Sequence, residues 1–111
     1  MSKLGDFEET LMLLVGILEK EAYAFRIAEE FEAQAGRTTT IGAVHATLQR
    51  LTKKGFLQSE MGQPTAARGG RRKRIYQITG AGYKVLEQSR ELKVSLWKQF
   101  PGFAGFKFKL I

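Results

Sequence analysis

The sequence predicts a mainly α-helical domain with a small β-hairpin, followed by a long C-terminal helix. Three segments before residue 55 carry apolar residues at helical spacing. A glycine- and arginine-rich stretch at 62–74 then separates two short segments that have the character of strands. A last helical pattern begins near residue 80. The chain has 111 residues, which is the length of one ordinary domain.

Two helices are predicted in the acidic N-terminal part of the chain. The first is expected to begin at Asp6, which can cap it with Glu9 as the reciprocal partner, and its apolar positions cover Phe7–Leu18. A second helix is predicted from about Ala24–Ala35. Gly36 follows it, where a residue in the left-handed conformation is wanted.

A third helix is predicted from Ile41 to Lys54, after three threonines that can cap it. The spacing of 3, 4 and 3 residues predicts one buried face made of Ile41, Val44, Leu48 and Leu51. The residues expected to point outward are Ala43, Ala46, Thr47 and Arg50. A helix, a short break and a helix of about 14 residues form the helix-turn-helix arrangement.

The hairpin is predicted to follow Gly55 directly. Leu57–Met61 is expected to be its first strand, Gly62–Gly70 its turn and Arg72–Ile78 its return strand. Such a hairpin after a helix-turn-helix is the wing of a winged helix-turn-helix domain, which would comprise residues 1–79.

The fourth helix is predicted from Gly80 to Phe100, with Thr79 as its cap. Its apolar stripe is narrow, as in a helix–helix seam, so residues 80–100 are expected to form a C-terminal dimerisation helix. The expected dimer interface consists of Leu11, Val85, Ser89, Leu92 and Leu96. The alternative is that this helix packs only on its own domain. Residues 101–111 form a tail of unknown role.

The net charge of +7 hides an uneven distribution. Residues 1–36 carry three Lys or Arg against eight Asp or Glu, whereas residues 37–111 carry fifteen against three. An acidic part beside a basic part favours an oriented field with one face turned to a polyanion. The plainer alternative is that the charge only keeps the protein in solution.

The basic run at 68–74 predicts contact with nucleic acid, because five of its seven residues are cations and phosphates are their natural partners. The third helix is the candidate reader, since small residues at 42, 43 and 46 let it lie deep in a major groove. The candidate DNA-binding residues are Thr38, Thr39, Thr40, Gly42, Ala43, His45, Thr47, Arg50, Arg68, Arg71, Arg72, Lys73 and Arg74. Alternatively, the threonines only cap the helix and the basic run is a solvated loop.

The sequence gives little support for an enzyme, a metal-binding protein or a membrane protein. With one histidine and no cysteine, we expect no catalytic site, no metal site and no cofactor. The apolar run Leu11–Leu18 is far shorter than the roughly 20 residues of a membrane span. We therefore expect a cytoplasmic protein that is not an enzyme and does not bind membranes.

Two motifs resemble a known family. Residues 40–51 with 54–57, and residues 69–79 with Gly82, are similar to the recognition helix and the wing of PadR-family regulators. The resemblance implies a winged helix with a helical dimerisation arm, which usually represses a target promoter. His45 stands where the family usually has tyrosine. Regulators of this kind often respond to aromatic compounds, so Trp97 and Phe100 could line a pocket for a small aromatic effector, unless they are plain interface core.

The leading hypothesis is therefore a homodimeric transcriptional regulator that binds double-stranded DNA in a sequence-specific way. One alternative is a small basic protein associated with RNA or the ribosome, although no aromatic-rich strand motif for base stacking is present. Another is an adaptor that binds a membrane or a partner through the Lys- and Phe-rich tail.

Overall fold

The computed structural model describes residues 4–63 and 72–102, and within them it confirms a mainly helical fold with a hairpin. The elements in chain order are α1 (Asp6–Leu18), a 3-10 turn (Glu19–Glu21), α2 (Ala24–Ala35), α3 (Ile41–Lys53), β1 (Leu57–Met61), β2 (Arg74–Ile78) and α4 (Gly80–Gln99). The C-terminal helix is thus present, and α2 and β1 have the predicted bounds. Residues 64–71, which include most of the predicted turn, and residues 103–111 lie outside the described residues.

The start of α1 differs from the prediction. Gly5 occupies the N-cap position, and its amide donates a hydrogen bond of 3.0 Å to Oε1 of Glu8. Asp6 is the first helical residue, and Glu9 takes no part in capping. In a capping box, the carboxylate that bonds the amide of the cap residue belongs to the third residue of the helix. Because the cap is Gly5 and not Asp6, that residue is Glu8 and not Glu9.

The other helix ends follow the sequence. Thr40 caps α3 by accepting a hydrogen bond of 3.0 Å from the amide of Ala43. Thr79 caps α4 by accepting one of 3.1 Å from the amide of Gly82. Gly36 ends α2 with a φ of 72°, the left-handed conformation that glycine adopts without steric cost.

The core lies between α1, α2 and α3 and is closed on one side by the hairpin. Leu11, Met12, Leu14 and Val15 of α1 are all buried, which accounts for the apolar run in the sequence. Phe31 of α2 is buried in the same core. Burial of each such side chain stabilises the fold by roughly 1.5–3 kcal/mol. No helix among the described residues has the length and apolar character that crossing a membrane would require.

The buried face of α3 is rotated relative to the prediction. Ile41, predicted to be inside, is 44% exposed, whereas Thr47, predicted to be outside, is 3% exposed. The buried arc comprises Val44, Thr47, Leu48 and Leu51. Viewed along the helix axis, Leu51 and Val44 lie at its centre, and Thr47 and Ile41 lie at its two opposite edges, of which only the Thr47 edge is covered by the rest of the protein.

The hairpin is antiparallel, with Leu57 opposite Ile78 and Met61 opposite Arg74. The return strand begins at Arg74 and not at Arg72, although the amide of Gly62 still donates to the carbonyl of Lys73 at 2.6 Å. The amide of Tyr76 donates to the carbonyl of Ala22 at 2.9 Å. This bond ties the hairpin to the connection between α1 and α2.

Helix α4 packs on the domain at its start and then leaves it. Gly82 and Val85 are buried, and Ser89 is half-buried, but every residue from Arg90 to Gly102 is exposed. The molecule consequently measures 55 Å along its longest axis. Apart from the ion pair between Lys93 and Glu9, the second half of α4 is thus left exposed by the described residues of its own protomer.

Candidate DNA-binding surface

A groove of about 440 Å³ lies between the outer side of α3, the start of α2 and the beginning of the return strand of the hairpin. Its lining includes Phe25 of α2, Ile41, His45 and Gln49 of α3, and Arg72 and Arg74 of the hairpin. The three α3 residues are spaced four apart, so they form one row along the helix, here called the 41–45–49 row. The predicted recognition helix and the predicted wing thus border one surface.

The N-terminal end of α3 is open to approach from outside. Thr38, Gly42 and Ala43 are exposed and Thr39 is half-buried. A Cβ at Gly42 would meet no atom within 4 Å, so packing within the described protein does not require glycine there. The hydroxyl of Thr40 already accepts the capping hydrogen bond. The first amides of a helix favour an anion, so this end suits a phosphate or a base edge.

Thr47 and Arg50, two of the predicted DNA contacts, are engaged within the protein. Thr47 is buried, and its hydroxyl accepts a hydrogen bond of 3.3 Å from Nη2 of Arg50. Nε of Arg50 donates to Oε2 of Glu8 at 2.9 Å. The prediction that Thr47 faces outward is therefore wrong, because the buried arc of α3 includes it and leaves its side chain no path to a base.

Glu8 is the carboxylate at the centre of this cluster, and sequence reasoning missed it. Its side chain is 9% exposed and receives bonds from the Gly5 amide, from Arg50 and from Nζ of Lys54 at 3.1 Å. Burial alone would raise the pKa of Glu8, but the hydrogen bonds from Arg50, Gly5 and Lys54 outweigh it and lower the pKa to about 2. The capping position three residues after Gly5 is the one sequence signal that marks Glu8.

The neighbouring carboxylate, Glu9, binds a different helix. It accepts hydrogen bonds of 3.1 Å from the hydroxyl of Ser89 and forms an ion pair of 2.7 Å with Nζ of Lys93. Consecutive residues of α1 therefore hold the end of α3 and the middle of α4.

The described hairpin cations bond only to uncharged groups. Arg72 donates from Nε to the carbonyl of Gly62 at 2.9 Å, and Arg74 donates from Nη1 to the hydroxyl of Ser59 at 3.1 Å. The ammonium of Lys73 lies 4.1 Å from the centre of the Tyr23 ring. Within 4–63 and 72–102, none of these three cations has a carboxylate partner, so their charges remain uncompensated. Arg68 and Arg71 lie outside the described residues.

His45 is exposed on the 41–45–49 row, and the described part of the chain gives it no hydrogen-bond or ionic partner. A contact between His45 and DNA stays a prediction.

The predicted dimer interface is partly corrected. Leu11 is 0% exposed and Val85 is 7% exposed, and both belong to the core of their own protomer. The first turns of α4 pack on the domain, which removes Val85 from any interface, and Leu11 lies on the inner side of α1. Ser89 is half-buried and bonded to Glu9, whereas Leu92 and Leu96 are 59% and 54% exposed.

Exposed apolar residues that the sequence interpretation did not single out are Leu13 and Ile17, one turn apart on α1. Trp97 and Phe100 pack edge to face with ring centres 5.7 Å apart, and both are more than half exposed.

A comparison with models of protein families identifies the family of this chain. The model of the PadR-like family of transcriptional regulators matches residues 13–88, from α1 to the first half of α4. The chain belongs to the PadR-like family. The match includes α3, the hairpin and therefore the whole groove between them.

Solved PadR-like structures share the fold. A PadR-like transcription factor from Bacteroides fragilis is 26% identical, with 84% of each chain covered and a TM-score of 0.68. A PadR-family regulator from Clostridium difficile R20291 is also 26% identical, over 88% of this chain and 98% of the other, with a TM-score of 0.67. One from Bacillus cereus has 16% identity, 84% and 85% coverage and a TM-score of 0.65. The search of curated proteins gave no match.

Membership of the PadR-like family confirms the resemblance seen in the sequence and the winged-helix fold. It also confirms the coarse interpretation of the chain as a DNA-binding transcriptional regulator.

Proposed function

We propose that this PadR-like protein is a sequence-specific, homodimeric repressor. Each protomer places α3 in the major groove of a half-site and the basic hairpin on the adjacent backbone. Residues 1–79 are then the DNA-binding domain and residues 80–100 the dimerisation helix. The observation that carries the proposal is the groove in which an exposed row of α3 meets hairpin cations without carboxylate partners among the described residues.

The distribution of ion pairs supports this orientation. Glu8 of α1 binds Arg50 and Lys54, and Glu30 of α2 binds Arg26 at 2.9 Å, so these two carboxylates are neutralised within the protein. The described cations of the hairpin are not paired with any carboxylate among the described residues. A duplex carries one negative charge per about 1.7 Å of its axis, and its phosphates would supply the missing partner charges.

The exposed apolar residues support the dimer. Leu92 and Leu96 lie on the part of α4 that extends from the domain, and Leu13 and Ile17 lie on the outer side of α1. Apolar surface of this kind on a small domain usually marks an interaction surface. A two-fold dimer would place the two α3 helices about 34 Å apart, one turn of DNA, on a near-palindromic site.

Repression follows from this arrangement if the site overlaps a promoter, since a bound dimer excludes other proteins from the same stretch of duplex. Trp97 and Phe100 form an aromatic pair on the proposed dimer arm. A second protomer could close this pair into a site for a small aromatic effector.

Selection of bound duplexes from a random DNA pool tests the proposal. We expect an enriched near-palindrome whose half-site centres are about one helical turn apart. The enriched duplex should bind more tightly than an RNA duplex or single strand of matching sequence at one stated salt concentration. Equal or tighter binding of RNA would favour the alternative of an RNA-associated protein and would overturn the proposal of a DNA-binding repressor.

A further inference from the structure

We propose that Gln49 reads an adenine and Ile41 contacts a thymine methyl in each half-site. The 41–45–49 row, and not the row around Ala43 and Thr47, would then set the sequence preference. The inference rests on the proposed function, because it requires α3 to lie in a major groove.

Three polar side chains of α3, and that of its cap residue, are already engaged within the protein. Thr40 caps the helix, Thr47 and Arg50 are tied to the Glu8 cluster, and the hydroxyl of Thr52 donates to the carbonyl of Leu48 at 2.8 Å. Gln49 is exposed, and its amide has no hydrogen-bond partner within the described residues. It can therefore offer both amide groups to a ligand without breaking an internal bond.

Gln49 also lies on the side of α3 that faces the hairpin cations. It lines the same groove as Arg72 and Arg74, whose charges would bind the DNA backbone. A duplex held by these cations is brought against the 41–45–49 row. Arg50 and Lys54 belong to another side of the helix, where Glu8 already occupies them.

The side chains of the row match the groups that an A·T pair presents. A glutamine amide carries a donor and an acceptor side by side, which match N7 and N6 of adenine in the major groove. Ile41 is 44% exposed and lines the groove with Phe25, which is 52% exposed. The thymine methyl is the apolar group that the major groove presents, so it is the natural partner for these side chains.

The separation of Ile41 and Gln49 along the helix predicts the separation of the two bases. Eight residues of an α-helix span about 12 Å. Consecutive base pairs are about 3.4 Å apart along the duplex axis, to which a helix in the groove is inclined, so the adenine and the thymine should lie within about four base pairs of each other. Two A·T-specific positions at this separation in each half-site are expected.

Base analogues in the selected duplex provide the test. Replacing the adenine by 7-deazaadenine removes the acceptor N7, and we expect affinity for the wild type to fall about fivefold or more, since a bidentate base contact is worth about 1–3 kcal/mol. Gln49→Ala should lose affinity for the natural site by a similar factor and should show no further loss on the analogue. Deoxyuridine in place of thymine removes the methyl, and Ile41→Ala should abolish sensitivity to that change.

The control is Gln34→Ala, because Gln34 lies at the far end of α2 and its amide donates to Glu30. This variant should behave as the wild type on all duplexes. If the wild type selects a site but Gln49→Ala keeps full affinity and full analogue sensitivity, the inference is overturned while the proposed function stands. If the wild type shows no sequence preference, the proposed function itself fails.

Discussion

The buried carboxylate of Glu8 holds Arg50 through a bond of 2.9 Å, although 42 positions separate the two residues in the chain. Lys54 completes the cluster from the residue that follows α3. The last turn of the proposed reading helix is thereby attached to the first turn of α1. The cluster keeps two cations directed toward the protein.

The Glu8 cluster should make the stability depend on acid pH. The pKa of Glu8 is lowered from 4.5 to about 2 in the folded protein, so its contribution is complete above pH 4.5 and is lost as the pH falls toward 2. The shift corresponds to about 3 kcal/mol of unfolding free energy. Glu8→Gln should cost about 1–3 kcal/mol at pH 7 and flatten the acid dependence in urea unfolding.

Glu32→Gln is the matched control, since Glu32 is exposed on α2 and its carboxylate bonds no described residue. It should leave both the stability and its acid dependence unchanged. An equally stable Glu8→Gln variant with an unaltered acid dependence would show that the cluster adds nothing to folding.

The hairpin cations should increase the dependence of DNA affinity on salt concentration, because each phosphate contact releases counterions. Arg72→Ala and Arg74→Ala should each weaken specific and non-specific binding alike, and removal of one phosphate-bound cation should reduce the slope of log K against log salt by about 0.9. Arg90→Ala, which removes an exposed cation on α4 outside the groove, should leave the slope unchanged. Unchanged slopes in both hairpin variants would show that the described part of the hairpin does not touch phosphates.

The dimer should depend on one side of α4. Leu92→Glu introduces a charge into the proposed seam and should give a monomer in analytical ultracentrifugation, with loss of operator binding. Val94 is 42% exposed but lies about 200° around the helix from Leu92, so Val94→Glu should still dimerise. A wild-type protein that stays monomeric at micromolar concentration would contradict the dimer.

Gly82 should tolerate no side chain. A Cβ there would overlap the carbonyl oxygen of Phe56 and lie 2.8 Å from Cγ2 of Ile78. Gly82→Ala should therefore push α4 away from the hairpin and cost about 1–3 kcal/mol in thermal or urea unfolding. Gly80→Ala is the control, because a Cβ at Gly80 meets nothing within 4 Å. If the two variants are equally stable, the close approach of α4 is not required.

The aromatic pair should report on an effector. Planar aromatic compounds are expected to quench the fluorescence of Trp97, the single tryptophan, and to weaken operator binding at the same concentrations. The physical reason is that an effector must bind one spacing of the two α3 helices better than another. Quenching without any change in DNA affinity would indicate an incidental cavity.

The elements were largely predictable from the sequence because local signals define them. The left-handed Gly36 and the capping Thr40 and Thr79 act within one turn, and the structure has each where the pattern predicts it. Periodicity alone could not distinguish Ile41 from Thr47, since both lie at the edges of the same stripe and neighbouring helices decide which edge is covered.

The parts of the surface that involve distant contacts were not predictable. Arg50 has the character of a solvent-exposed cation in the sequence, and only the packing of α1 on α3 brings it to Glu8. Leu11 fits a surface stripe as well as a core position, and the structure places it in the core. Spacing along one helix carries no information about which helix lies opposite.

Glu8 and Glu9 are adjacent, yet one is bonded to α3 and the other to α4. Helix α1 therefore holds α3 and α4 at two positions that lie about 100° apart around its axis. A substitution that shifts α1 would therefore disturb the attachment of the proposed DNA-reading helix and of the proposed dimer arm together.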